Sequence, residues 1–323
     1  MFPILLGIDE AGLGPILGPL TLGYAAFRLA TPLSADALLK LDLWEALNLG
    51  REPHERKHRP VVCDSKQIYT SGKIKALEEE VLCWASVAGA GTDDYAAFRD
   101  TVCAPARWQD YDWYSAPPTP FPLEADAARM RLRAQPIRRA LETAGIELAG
   151  LGVTALLEGE FNKLLTRVKS KARAEFECIG SILGRFWQQH RNLAVVVDRQ
   201  GGRTRYARTL HNEFPEARVE VLHESNKLST YDLTIPEVEG VPRMFVAFIE
   251  KGEGRHLPIA LASMFAKYVR EIHMHQFNQW WAQHDASIKP TAGYYSDGRR
   301  WLGDTQGLRA AIGVDEDRLI RRK

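Results

Sequence analysis

Apolar positions open the chain. Ile4-Leu5-Leu6-Gly7-Ile8 is a continuous run, long enough for one buried strand, and it ends at the paired acids Asp9 and Glu10. Gly12, Gly14, Gly18, Pro15 and Pro19 follow within ten residues, so the chain leaves that strand through a tight, preset turn. Apolar residues return over 20–27 and predict a second strand. A helix is predicted from about 34 to 49, with Ala37, Leu38, Leu41 and Leu47 facing inward, followed by a polar, basic loop over 51–59. Val61-Val62-Cys63-Asp64-Ser65-Lys66 then reads as a short strand or an entry into structure. Ser71 stands where it would cap a helix over 72–84. Residues 93–122 are rich in Trp, Tyr and Pro without a period, the mark of an ordered insertion rather than a flexible linker. A helix carrying Arg129, Arg131, Arg133, Arg138 and Arg139 is expected over 124–144, and a third strand over 150–157.

The next period is the longest. Phe161, Leu165, Val168, Ala172, Phe176, Ile179, Leu183 and Phe186 recur at steps of three and four, predicting one helix over 161–190, the longest in the chain. Lys163, Arg167 and Lys171 form a second stripe along it. Leu193-Ala194-Val195-Val196-Val197 then runs into Asp198. Buried central strands of open α/β sheets look like this, and ligands sit at their carboxyl ends. Glycines 201 and 202 open a loop, and strands are expected over 219–222 and 245–249. A final long helix over 258–283 starts at Pro258 and carries Leu261, Phe265, Tyr268 and Ile272 as its apolar stripe. Ser263, Lys267 and Glu271 line the neighbouring stripe, which places Glu271 at the border of the buried face. His273 and His275, two apart, share no face and read as surface residues.

Composition adds limits. The 323 residues are 45% hydrophobic and 26% charged, with a formal net charge of +1, an ordinary globular balance. A nucleic-acid partner would therefore be met by a local basic surface. Cys63, Cys83, Cys103 and Cys178 are far apart and form no Cys-x-x-Cys, which argues against structural zinc and fits reduced thiols. The N-terminal run lacks a basic flank and meets Asp9 too soon for a signal peptide, and no stretch has the length of a membrane span. A cytoplasmic protein without a membrane partner, and a monomer, is the expectation.

Three carboxylates thus stand at two strand ends, with Glu271 offered as a fourth. The stretch Asp9-Glu10-Ala11-Gly12-Leu13-Gly14 resembles the Asp-Glu-Ala-Gly-(Arg or Lys)-Gly signature of type 2 ribonuclease H, the ribonuclease HII family. Asp64-Ser65-Lys66 is similar to that family's Asp-Ser-Lys element. Phe161-Asn162 with the following helix and Val195-Val196-Val197-Asp198 resemble its central helix and strand. Ile249-Glu250-Lys251 and the segment from Ile259 to Glu271 resemble its Lys-containing strand and its Ala-Ala-Ser-Ile-x-Ala-Lys-x-x-Arg-Asp helix. Gly293-Tyr294 is similar to its C-terminal Gly-Tyr element.

The resemblance implies a ribonuclease H-like fold: a mixed five-stranded sheet flanked by helices, here with insertions. It implies a catalytic domain over 1–285, with insertions at about 93–147 and 200–243. Residues 286–323 would be a C-terminal extension completing the substrate groove. It implies endonucleolytic cleavage of RNA in RNA/DNA hybrids or at ribonucleotides embedded in DNA. Asp9, Glu10, Asp198 and Glu271 would hold two Mg²⁺ or Mn²⁺ ions, since clustered carboxylates suit hard divalent cations. Gly12, Leu13 and Gly14 would meet the 2′-hydroxyl of the substrate. Ser65, Lys66 and Lys267 would contact substrate, the first two at phosphates, and Tyr294 would stack on a sugar. Both acids of the first pair reach the metals only if the backbone leaves strand geometry at Glu10. Leu13 stands where the family has a basic residue, Glu271 where it has Asp, and Asp198 and Glu271 are 73 residues apart. A nuclease acting on another nucleic-acid structure, and a non-catalytic hybrid-binding protein, are the alternatives at this point.

Overall fold

The computed structural model describes residues 1–70, 72–103, 106–236 and 240–322. Its centre is one mixed sheet of seven strands: β1 (Phe2–Ala11), β2 (Leu20–Leu33), β3 (Glu147–Leu156), β4 (Asn192–Asp198), β5 (Arg218–Glu224), β6 (Leu228–Thr234) and β7 (Arg243–Ile249). They lie in the order β3-β2-β1-β4-β7-β6-β5. β1, β4 and β7 are parallel neighbours, and the remaining pairs are antiparallel. The mixed α/β class is as expected, but the sheet has seven strands and not five. The difference lies in residues 200–243: this stretch builds the β5–β6 hairpin onto the outer edge of β7.

Six helices of ten residues or more occur among the described residues: α1 (Lys75–Val87), α2 (Ala127–Ala144), α3 (Glu158–Val168), α4 (Lys171–His190), α5 (Leu257–His284) and α6 (Tyr295–Asp304). The helix expected over 34–49 is two short ones, Ala35–Lys40 and Leu43–Ala46, because Asp42 turns its side chain to cap the second at Glu45 N–H. The expected cap Ser71 lies outside the described residues, and α1 begins at Lys75. The single helix expected over 161–190 is also two. Lys169 adopts a left-handed conformation (φ 56°) that closes α3, so Lys171 belongs to a different helix from Lys163 and Arg167. The longest helix is therefore α5.

β1 shows why the sheet is central. Leu5 faces one apolar layer with Val196, Ala247 and the inner side of α5, while Ile4, Leu6 and Ile8 face another with Val195, Val197 and α4. All four β1 side chains are essentially fully buried, each contributing about 1.5–3 kcal/mol by transfer from water. On the α5 side the helix approaches so closely that two glycines are required. A Cβ on Gly7 would lie 2.2 Å from the Pro258 carbonyl carbon, and one on Gly23 would lie 1.9 Å from the Ala262 oxygen. Thr21 bolts the layers together, its hydroxyl reaching the carbonyls of Ala11 (3.0 Å) and Ala266 (2.9 Å).

A third apolar cluster joins the aromatic insertion to the C-terminal segment. Trp108, Trp113 and Tyr114 pack with Phe277, Trp281, Trp301 and Leu319 around Ile16 and Leu17, the residues just beyond the glycine turn. His273 belongs here: it is buried and stacked on Trp108 with ring centroids 3.9 Å apart, and is not a surface residue. The aromatic insertion, silent in periodicity, covers that side of α5.

Candidate active site

The carboxyl ends of β1, β4 and β7 lie side by side, and the acids collect there. The β1–β4 register ends at Ile8 opposite Val197, so Asp9 follows beside Asp198. β7 ends at Ile249, paired with Asp198, and the chain turns back through Lys251 in a left-handed conformation (φ 53°). That turn aims the Gly252 N–H at Asp198 Oδ1 (2.7 Å) and brings Glu253 against the Asp198 carboxylate. Alternation along the strands puts Asp9 and Asp198 on the α5 side of the sheet and Glu10 on the α4 side.

Regular pairing continues through Glu10 opposite Leu22 and Ala11 opposite Thr21. The backbone does not leave strand geometry at Glu10. The two acids nevertheless touch at the open end of the sheet, where the side chains interact and the Glu10 N–H donates to Asp9 Oδ1 (2.8 Å).

Crowding shows in the protonation equilibria. Asp9 is held well above the usual carboxylate range by burial and by the charges of Glu10 and Asp198, against a hydrogen bond from Ser263. Burial also raises Glu10, opposed by its contact with Asp9 and by Lys66, and reinforced by Glu253. Asp198 is pushed up to about 7 by burial, then by Glu253 and Glu10, against the Gly252 N–H. Lys66 feels burial, which lowers it, but Asp64, Glu253, Asp9 and Asp198 together raise it. A group of carboxylates with this little cationic compensation calls for added positive charge.

Each remaining residue singled out in the sequence has a definite place. Ser65 is buried, and its hydroxyl shares a 3.0 Å hydrogen bond with that of Ser263, which in turn reaches Asp9. Gly12 has φ +90° and faces Arg270 so closely that a Cβ there would lie 2.5 Å from Nε; Gly14 faces open space. Leu13 is partly buried against the α4-side core. Tyr294 is half exposed, with its ring 5.6 Å from the Arg270 guanidinium carbon. The turn itself is fixed from behind. Arg321 donates to the Gly12 carbonyl (2.5 Å) and to that of Pro15, and Arg270 donates to Leu17 and Ala292 (both 3.1 Å).

Glu271 is not brought to the acids. Its two oxygens accept from Lys267 Nζ (2.7 Å) and the Tyr69 hydroxyl (2.8 Å). Ser263 stands at Asp9, and eight helical residues carry Glu271 about 12 Å further along α5, to the level of the glycine turn. Lys267 is likewise engaged, with Glu271 and over the Tyr69 ring. The acid missed in the sequence is Glu253. Its signal was the rule that selected Asp198: an acid just past the carboxyl end of a strand in the parallel core. A second one is Glu175 on α4. It is buried and pushed up to about 8 by burial, then by Glu10, with Asp198 adding to it. Its signal was an acid at i−4 from Ile179, inside an apolar helix face.

The donor set is all oxygen, which suits Mg²⁺ or Mn²⁺. Glu253 Oε2 is buried and lacks a hydrogen-bond partner, as an open ligand atom would. The oxygens share one neighbourhood without being converged: among the described residues no group of three or more His, Cys, Asp or Glu is set to hold a metal ion as it stands. On chemistry the residues fit a hard divalent cation.

No family model matches the chain, and no curated protein matches it. Among solved structures it is similar to the ribonuclease HII of a PCNA:RNase HII complex from Archaeoglobus fulgidus, at 14% identity over 99% of this chain and 94% of that one, with a TM-score of 0.43. It is similar to ribonuclease H2 from Pyrococcus horikoshii at 13% identity over 98% and 92%, TM-score 0.38. A third is the Aquifex aeolicus RNase H3, at 15% identity over 98% and 71%, TM-score 0.37.

Proposed function

We propose that the protein is a divalent-metal-dependent endonuclease that cuts a ribonucleotide-containing strand in a duplex with DNA. The observation that carries this is the meeting of Asp9, Glu10, Asp198 and Glu253 at three adjacent strand ends, beside a glycine turn open to solvent at Gly14. The motif resemblance noted in the sequence supports the substrate class.

Asp9, Glu10, Asp198 and Glu253 would hold Mg²⁺ or Mn²⁺; Glu271 is not in this set. Bound cations supply positive charge for the attacking water and for the leaving 3′ oxygen of an in-line displacement. Lys66, whose charge bears on Glu10, Asp9 and Asp198, would pair with a phosphate of the cut strand. Ser65 and Ser263 orient Asp9 through their hydroxyl pair. In the Gly12–Gly14 turn, Gly14 faces open space and would give a 2′-hydroxyl close access to main-chain groups, while Gly12 lies against Arg270. Leu13 leans on the core and offers no phosphate contact, so Lys66 carries more of that task than in a turn with a basic centre.

The test offers Mg²⁺ or Mn²⁺ with three labelled duplexes: uniform RNA/DNA, DNA holding one ribonucleotide, and all-DNA. Cutting only where ribonucleotides are present is the expected result. Cutting of all-DNA to the same extent, or no cutting with either metal, removes the proposal.

A further inference from the structure

Beside the four carboxylates at the strand ends stands a fifth. Glu175 lies on α4, between the buried Ala174 and Phe176, and is 1% exposed. α4 covers the face of the sheet toward which Glu10 points, so the two carboxylates meet across the layer.

Its surroundings leave it poorly satisfied. Glu175 Oε1 has no hydrogen-bond partner. Beside it is Gln200, two residues past Asp198 and 5% exposed; its amide faces Glu175 too loosely for a well-formed hydrogen bond and has no other partner. Gln200 is held there by its main chain, whose N–H donates to the Tyr206 hydroxyl (3.2 Å), and Tyr206 is stacked on Phe248 at 3.5 Å. Arg203 is the nearby cation, but it rests over the Tyr206 ring, and among the described residues no ion pair joins it to Glu175.

Two other buried acids, Glu78 and Glu80, are treated differently, whereas Glu158 also keeps one oxygen without a partner. Glu78 accepts from the N–H groups of Leu123, Glu124 and Ala125 and from the Tyr268 hydroxyl. Glu80 is met by Arg56, Arg133 and the Val61 N–H. A buried carboxylate and amide that have only each other, loosely, are poorly satisfied unless a ligand completes them. Oxygen donors from a carboxylate and an amide, next to Glu10, are a hard-cation set.

We propose that Glu175 and Gln200, together with Glu10, form a divalent-cation subsite on the α4 side of the sheet end. It would be distinct from the position held by Asp9, Asp198 and Glu253 on the α5 side. The proposal rests on the metal-dependent reading above and assigns one of its ions to residues that no motif marks.

The experiment uses the full chain, stripped with chelator and dialysed, with no nucleic acid present. Mn²⁺ is titrated and the free ion read by electron paramagnetic resonance. Wild type is expected to bind two ions, and Glu175→Gln to lose one or to bind it at least about tenfold more weakly. Melting curves in chelator accompany the titration. Glu175→Gln is expected to match wild type there, since burial already keeps the metal-free carboxyl largely protonated and the amide is of the same size, and to lose part of the Mn²⁺-induced rise. Unchanged Mn²⁺ stoichiometry and affinity in Glu175→Gln overturns the subsite, whatever its melting point; buried water would then satisfy these groups. Should Glu175→Gln not fold, Glu175→Asp replaces it, with the same tenfold loss expected and unchanged binding again overturning the proposal. A wild type that binds no Mn²⁺ removes the metal-dependent reading itself, whereas two ions in both proteins remove only this inference.

Discussion

Asp198 and Glu253 reach one another from neighbouring parallel strands, and that contact separates two assignments for the fourth acid. Glu271 is satisfied by Lys267 and Tyr69 and stands about a helical span away from Ser263, whereas Glu253 leaves an oxygen open beside Asp198. Glu253→Gln is expected to lower the cleavage rate on the order of 100-fold or more, the scale for losing one charge-stabilising group in a reacting site. Glu271→Gln keeps an acceptor for Tyr69 and should change the rate less than about tenfold. Single-turnover rates at saturating Mn²⁺ compare the two, and a larger loss in Glu271→Gln reverses the assignment. Asp9 and Asp198 were legible in the sequence because an apolar run ending in an acid marks a strand end. Glu253 escaped because Gly252 and a left-handed Lys251 separate it from its strand, so the same rule had to be applied across a turn. Glu175 was legible only as an acid inside an apolar stripe, which on its own is also how a paired structural carboxylate looks.

At the scale of elements, α5 is seated on β1 and β2 by glycines. Gly23→Ala is expected to destabilise the protein by about 3 kcal/mol or more, because backbone rather than a flexible side chain meets the new methyl. Denaturant midpoints measure it, and a neutral effect would show that α5 moves freely over the sheet. The turn after β1 is seated by a different device. Glu158, at the start of α3, accepts from the Gly18 N–H (3.0 Å) and the Tyr114 hydroxyl (2.7 Å), and burial pushes it up to about 7. A folded value above the ordinary 4.5 means that the native state binds the proton more tightly. The contribution is therefore present below about pH 4.5 and is lost as pH rises through about 7, on the order of 3 kcal/mol in all. Wild type should lose stability relative to Glu158→Gln between pH 5 and 8, read as the difference of their urea curves. A pH-independent difference contradicts this. Lengths and types of most elements followed from periodicity. The breaks at Asp42 and Lys169 did not, since a capping side chain or one left-handed residue interrupts a helix without disturbing its apolar spacing.

Across the whole molecule, the last residues return to the first turn. The Arg321 N–H donates to the Ile16 carbonyl (2.8 Å), while its side chain holds Gly12 and Pro15; Ile16 and Leu17 in turn donate to the Gly293 carbonyl. A chain ending at Ile320 is expected to keep its sheet and lose substrate affinity, with KM rising more than kcat falls and faster proteolysis near residues 12–16. Unchanged KM and cleavage pattern would show that the turn holds its shape unaided. Among the described residues no helix is long and apolar enough to cross a membrane.

The sequence by itself determined β1, β2, β3, β4, β5 and β7 and the acids at two strand ends. Those depend on neighbours a few residues away, and apolar spacing records them directly. Only the tertiary structure decided that the sheet has seven strands, because β6, with Ser229, Thr230 and Asp232 among its buried positions, is recognisable as a strand only once β5 and β7 pair with it. Only it decided which acids share a site: Glu253 and Glu175 come from a turn and a helix whose positions are set by packing against the sheet. Such contacts between residues far apart in the chain leave no period in the sequence, and the site is built from them.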